Sequence, residues 1–262
     1  MPYEDIMFVK SSGVAKITIN RPDTFNSFRT LTLQEMKEAV GDAAGDGEIG
    51  VIVITGAGGK AFCAGGDINE MRDLNPDDGR AFLKILLGLF MEIRSAPKPV
   101  ITSIDGYCLG GGNEINLVCD MTIATERSVF GQVGPTVGSI PVLAGTQMLP
   151  RLVGDKKAKE IIFLCERYSA RQAMEMGWIN KVVNDGELEK ETSAWCDRIL
   201  AMSPQSLRIA KVSLNYESDH LYSSFMHGIE MLSGTYGSDE LVEGMSAFLE
   251  KRKPDFGKFR KK

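Results

Sequence analysis

Two stretches of this chain repeat one arrangement, and the repetition restricts what it can fold into. An apolar run, Val51–Ile54, leads through a loop to Cys63-Ala64-Gly65-Gly66-Asp67 and a helix start. A second run, Val100–Ile104, leads to Leu109-Gly110-Gly111-Gly112-Asn113-Glu114 and the apolar stretch Ile115–Cys119. Short continuous apolar runs bounded by turn residues read as strands buried on both faces. A weaker third round follows, with Met121–Ala124, Ser128–Phe130 and the loop Gly131–Gly145. The alternation predicts an α/β protein made of repeated strand–strand–helix units.

Around this centre the pattern is simpler. Val14–Asn20 alternates apolar and polar residues behind Ser11-Ser12-Gly13, which predicts an opening hairpin, and Leu31–Ala44 has helical spacing. Beyond Thr146 strand signals thin out, and Ile179–Val183 is the last of them. From Leu188 the reading is helical, over Glu189–Met202, Gln205–Asn215, Leu221–Leu232 and Asp239–Glu250. The expected organisation is a core over residues 1–194 and a C-terminal helical region over 195–262, ending in the basic tail KRKPDFGKFRKK. Such a tail is a solvated surface, a phosphate contact or a subunit contact.

Charge and composition remove several functions. A net charge of −5 and a pI near 5.3 argue against nucleic-acid binding. The five cysteines are scattered and lack CxxC spacing, so they read as reduced thiols in a cytoplasmic protein, neither a disulfide frame nor a zinc site. The N-terminal MPYEDIMFVK carries acids and no long apolar segment, which predicts no targeting peptide. Phe82–Ile93, the most apolar helix candidate, contains Lys84 and is too short to span a bilayer, so no membrane role is expected. There is no GxSxG elbow; His220 and His227 read as ordinary helix residues. Asp77-Asp78 and Asp239-Glu240 read as helix N-terminal acids, so no metal site is predicted.

Candidate chemistry therefore gathers at the two glycine junctions, about 45 residues apart. Each can aim a backbone N–H at a shared point, as an oxyanion hole does; read alone, each could equally be a tight turn or a phosphate cradle. Neither matches GxGxxG or GxxxxGK[ST]. Glu114 interrupts an apolar stretch. It is either a general base or acid with a pKa tuned by burial, or a carboxylate resting on the helix dipole.

The stretches AFCAGGDINEM, KPVITSIDGYCLGGGNEINLVCDMTIA and FGQVGPTVGSIPVLAGTQMLPRLVG resemble the crotonase (enoyl-CoA hydratase/isomerase) superfamily, and the similarity runs over nearly the whole chain. The resemblance implies a spiral of strand–strand–helix units with a C-terminal helical region that assembles homotrimers, often paired into hexamers. It implies an acyl-CoA thioester substrate, coenzyme A entering as part of that substrate with no separate cofactor. The thioester oxygen would be held by the N–H groups of Gly66 and Gly111. Gly65, Asp67 and Gly110 would shape the same loops, with Ala64 against the adenine and Gln132 and Gly134 at the acyl end. Glu114 matches the hydratase glutamate that handles water at Cβ.

Two departures bear on the reaction. Family hydratases carry a second glutamate in an FGQPE-like run, where this chain has Gly134. FGQVGPTVGS and KRKPDFGKF are instead similar to the branch with 1,4-dihydroxy-2-naphthoyl-CoA synthase and 2-ketocyclohexanecarboxyl-CoA hydrolase. Tyr236 matches the C-terminal tyrosine of that branch, Pro141 stands at the position of its aspartate, and Glu114 at that of an apolar residue. The leading expectation is a hydratase or lyase acting on an α,β-unsaturated acyl-CoA, alicyclic or dienoyl by kinship. Glu114 would act at Cβ, and the Cα proton would come from Tyr236 of a neighbouring chain or from water near Gly134. The alternatives are carbon–carbon bond chemistry on a β-keto acyl-CoA and a CoA-ester-binding homologue with little turnover.

Overall fold

Strands β1 (Ile6–Ser11) and β2 (Val14–Ile19) form the expected antiparallel hairpin in the computed structural model, which describes residues 3–260. After α1 (Thr30–Gly45) come three successive strand pairs. They are β3 (Val51–Gly56) with β4 (Ala61–Cys63), β5 (Val100–Ile104) with β6 (Tyr107–Leu109), and β7 (Met121–Thr125) with β8 (Val129–Gly131). The first pair is followed by α2 (Ile68–Met71) and α3 (Pro76–Ser95), the second by α4 (Gly111–Val118). In each pair the first strand enters a six-stranded sheet and the second a four-stranded one. Stacking these units in parallel generates the expected spiral of strand–strand–helix units.

The apolar runs are continuous because both faces of the large sheet are covered. Ile52 and Ile54 face the main core with α1 and α3, while Val51, Val53, Ile101 and Ile123 face a second cluster. That cluster is roofed by Trp195 and Ile199 of α8 (Leu188–Leu200), a helix that runs across the 194/195 division.

Between Thr146 and Ile179 the chain holds elements that the sequence does not announce: α5 (Leu149–Val153), α6 (Asp155–Leu164), the two-residue β9 (Tyr168–Ser169) and α7 (Ala170–Glu175). Of these, α5, β9 and α7 are too short to print a period. The last strand, β10, covers Lys181–Val183 rather than the full Ile179–Val183 run. Trp178 and Ile179 are drawn into the core, and the Asn180 side chain accepts from Thr122 N–H in place of a ladder bond.

The C-terminal helices follow the sequence reading closely: α9 (Pro204–Asp219), α10 (Tyr222–Ser233) and α11 (Asp239–Leu249). Asp77-Asp78 and Asp239-Glu240 sit in the first turns of α3 and α11, where acids favour the helix dipole. The described part of the basic tail is surface, with Arg252 and Lys258 both on Glu243; residues 261 and 262 lie outside the described residues. α10 packs on α3, and Gly79 of α3 leaves no room for a Cβ beside the Tyr236 ring.

Helix α9 is tied to the core by Lys211. Its buried ammonium donates to the carbonyls of Ile93 and Lys98 at 2.9 and 3.0 Å and to Asp120 Oδ2 at 2.7 Å. Breaking such a pair strands the remaining charge. Lys211→Met is expected to lower the unfolding free energy by about 3 kcal/mol, read by urea denaturation. A loss within about 0.5 kcal/mol, ordinary for a surface change, would contradict this.

Candidate active site

Parallel pairing in the small sheet brings the ends of β4, β6 and β8 together. Cys63 pairs with Cys108, and Leu109 with Gly131, so the segments after these strands emerge at one edge. Those segments carry most of the positions singled out above. Ala64, Gly65, Gly66, Asp67, Gly110, Gly111, Glu114, Gln132, Gly134 and Tyr236 all line one cavity of about 700 Å³.

The two glycine loops touch. Gly65 adopts φ +110°, a conformation that favours glycine, and a Cβ there would lie 3.2 Å from the Gly111 nitrogen. A Cβ on Gly111 would fall 2.5 Å from Phe28 Cζ, so this position also admits no side chain. Phe28 N–H donates to Gly65 O and Asp67 N–H to Phe28 O, at 2.9 and 2.8 Å. This isolated parallel bridge uses the groups on either side of Gly66 and turns the Gly66 N–H away from Phe28. Gly111 opens α4, where a first-turn N–H has no intrahelical partner. Among the described residues, neither N–H meets an acceptor.

Glu114 lies in the first turn of α4, but the helix dipole does not decide its state. The side chain is buried, and burial pushes its carboxyl well above the ordinary carboxylate range, against the opposing N–H bonds from Gly145 and Leu143. Both bonds go to Oε1, at 3.2 and 3.0 Å. Between those donors sits Ala144 at φ +74°, so the carboxylate pins a strained turn. Oε2 has no donor among the described residues and is left to the cavity.

This chain's own Tyr236 lines the cavity. After α10 docks on α3, the turn that follows places the ring against Gly79 and into this chain's own cavity. Its buried hydroxyl has no partner among the described residues. Burial, and then the Glu114 and Glu70 charges, raise its phenol above the usual value. Asp67 lines the cavity but has both oxygens engaged: Oδ1 caps α2 through Asn69 N–H at 3.0 Å, and Oδ2 takes Arg21 at 3.0 Å. Pro141 and Gly134 lie on the cavity wall without a titratable group.

Several residues at the site had no signal in the sequence. Arg21 spans Asp67 and the Ser27 carbonyl, binding the first glycine loop to the segment after β2. Phe28, Phe82, Leu86 and Leu232 make an apolar end of the cavity. At the other end Arg167 lies over the Tyr107 ring at 5.6 Å, with Phe25 edge-on to the same ring. Their sequence surroundings are unremarkable because the chain brings them together only in three dimensions.

The enoyl-CoA hydratase/isomerase family model matches residues 9–259. The chain belongs to this family. An enoyl-CoA hydratase from Mycobacterium avium subsp. paratuberculosis K-10 superposes with a TM-score of 0.89 at 28% identity, covering 97% of this chain and 99% of that one. An enoyl-CoA hydratase/isomerase from Xanthobacter autotrophicus Py2 gives 0.86 at 32% identity, covering 95% and 94%. An enoyl-CoA hydratase from Bacillus anthracis gives 0.79 at 32%, covering 96% and 98%. The crotonase fold is thus shared across essentially the full length. Among the described residues no helix is long and apolar enough to cross a membrane, and no group of three His, Cys, Asp or Glu is placed to hold a metal.

The raised Glu114 carboxyl makes stability depend on pH. Between its unfolded value of 4.5 and its higher folded value, the native state keeps a proton that the unfolded chain has released. Stability therefore falls as pH rises through that window. Glu114→Gln keeps an oxygen for Leu143 and Gly145 and removes the ionisation. Denaturant unfolding should show the variant gaining on wild type as pH rises above the ordinary carboxyl value of 4.5. A difference that stays constant with pH would contradict a raised carboxyl.

Proposed function

We propose that this family member adds water to, or removes it from, an α,β-unsaturated acyl-CoA thioester. One observation carries the reading: a buried carboxylate, anchored by Oε1 and open at Oε2, shares a cavity with two N–H groups that have no protein acceptor. The N–H groups of Gly66 and Gly111 would hold the thioester oxygen and gain strength as negative charge moves onto it, the differential stabilisation that lowers a barrier. Glu114 would take a proton from the water attacking Cβ, and the Tyr236 hydroxyl would protonate the enolate at Cα. The two steps help each other. Once Glu114 is neutral, one of the charges that raise the Tyr236 phenol is gone, and the phenol becomes the stronger acid. The proton on Glu114 then restores the phenol, which closes the cycle without a second carboxylate at Gly134.

The cavity's lining supports a substrate class. Its apolar end suits a compact hydrocarbon acyl group such as an alicyclic or dienoyl one. The Phe25, Tyr107 and Arg167 mouth suits the nucleotide part of coenzyme A, with the Ala64 carbonyl facing the adenine. Ile209, Val212 and Tyr216 recur on one exposed face of α9, a subunit contact consistent with a homotrimer or a dimer of trimers built by the 195–262 region. An acidic protein without a membrane-spanning helix among its described residues suits a cytoplasmic acyl-CoA enzyme without a nucleic-acid partner.

Incubation with crotonyl-, cyclohexenoyl- and cyclohexadienoyl-CoA should give a mass gain of one water on at least one ester. Glu114→Gln should lower that turnover at least about 100-fold, the scale of general acid–base catalysis, while a saturated acyl-CoA still binds. Cleavage of an alicyclic β-keto acyl-CoA without any hydration would instead establish the carbon–carbon bond reading. Tight binding with no turnover of any ester would establish a binding homologue.

A further inference from the structure

Helix α3 lines the apolar end of the cavity with Phe82, Leu83 and Leu86. Gly79 lies three and four residues before the first two, so all four positions share one helix face. At Gly79 that face carries no side chain, although glycine is a poor helix former. Its place is taken by Tyr236. A Cβ built on Gly79 would lie 2.2, 2.6 and 2.8 Å from the Cδ2, Cγ and Cε2 atoms of that ring. Cγ is one carbon from the Tyr236 backbone, so this edge of the ring cannot swing aside as a long side chain would. The same tyrosine lines the cavity, four residues beyond Leu232 on the wall that faces α3. The Glu114 charge is felt at its phenol, which puts the ring at the reacting end.

Resting on the acyl-CoA reading, we propose that the Gly79–Tyr236 contact sets the longest acyl group the cavity takes, Gly79 determining specificity through the ring it seats. The wall at this point of α3 is supplied by a side chain from the far end of the chain, and its depth is fixed by how closely that ring approaches the helix backbone. Protein interiors are close-packed, so a ring pushed away from α3 moves toward the free space it borders, which is the cavity. A side chain at position 79 therefore shortens the acyl end. Removing the ring lengthens it. The two changes act in opposite directions on one dimension, and the phenol hydroxyl has no part in either.

The test measures calorimetric dissociation constants of the full chain for saturated straight-chain acyl-CoAs from acetyl to decanoyl. In wild type each methylene that fits should tighten binding about fourfold, up to a limiting length beyond which affinity stops rising. Gly79→Ala should bind the ester at that limit at least about fourfold more weakly, with the shorter esters unchanged. Tyr236→Ala should bind the next longer ester at least about fourfold more tightly than wild type does. Tyr236→Phe keeps the ring without its hydroxyl and should keep the wild-type limit, whatever happens to turnover. Should Gly79→Ala fail to fold, the two Tyr236 variants decide. An unchanged limit in a folded Gly79→Ala or Tyr236→Ala variant, or a uniform loss of affinity across the series, would overturn the proposal while leaving hydration intact. Wild-type protein that shows the limit but adds water to no unsaturated ester would overturn hydration alone, and protein that binds no acyl-CoA would overturn both.

Discussion

The parallel pairing of β4, β6 and β8, with an irregularity between Ala61 and Cys63, is the constraint on which the site depends. Each of these strands is only three residues long, and none would persist alone. Their alignment is held because every one follows a longer strand already locked in the six-stranded sheet. A slip by one residue would send Cys108 and Phe130, both buried, to the opposite face. The hydrophobic core therefore sets the register, and the register decides where the glycine loops and the Gln132 loop emerge. Arg21 and the bridge through Phe28 hold the first of those loops against the second.

Glu114 illustrates how one carboxylate serves fold and chemistry together. Its Oε1 stitches the Leu143–Gly145 turn to α4, and that turn carries a non-glycine residue in a left-handed conformation. Oε2 remains without a protein donor. Desolvation outweighs the two N–H bonds in setting its proton affinity, and Tyr236 feels the resulting charge. A change in the charge of Glu114 is thus felt at the Tyr236 phenol through the field alone.

Much of this was legible in the chain, for identifiable reasons. The runs Val51–Ile54 and Val100–Ile104 printed their burial on both faces, and the C-terminal helices printed their caps and periods. The segment from Leu149 to Glu175 printed little, because α5, α7 and β9 are shorter than any period needs. At the site, the glycine junctions stood out locally, as did Glu114 within an apolar stretch. What the residues around Glu114 contribute could not be read: Leu143 and Gly145 act through backbone N–H groups, which every residue has. The resemblance points to Tyr236 of a neighbouring chain or to water near Gly134; the packing of α10 on α3 also brings this chain's own Tyr236 to the cavity wall. Arg21 and Arg167 carry no local signal, because Asp67, the Ser27 carbonyl and the Tyr107 ring reach them only through tertiary contacts.

The seat of Tyr236 on Gly79 has a consequence for the order of events during folding. The contact joins positions 79 and 236, more than half the chain apart, so the loop that must close to make it is long. A nascent chain can assemble both sheets and bring the two glycine loops together while its last helices are still emerging. The phenol arrives only when α10 has docked. A chain that stops short of residue 236 would lack the phenol and also the Phe248 and Leu249 walls, so its cavity would stand open.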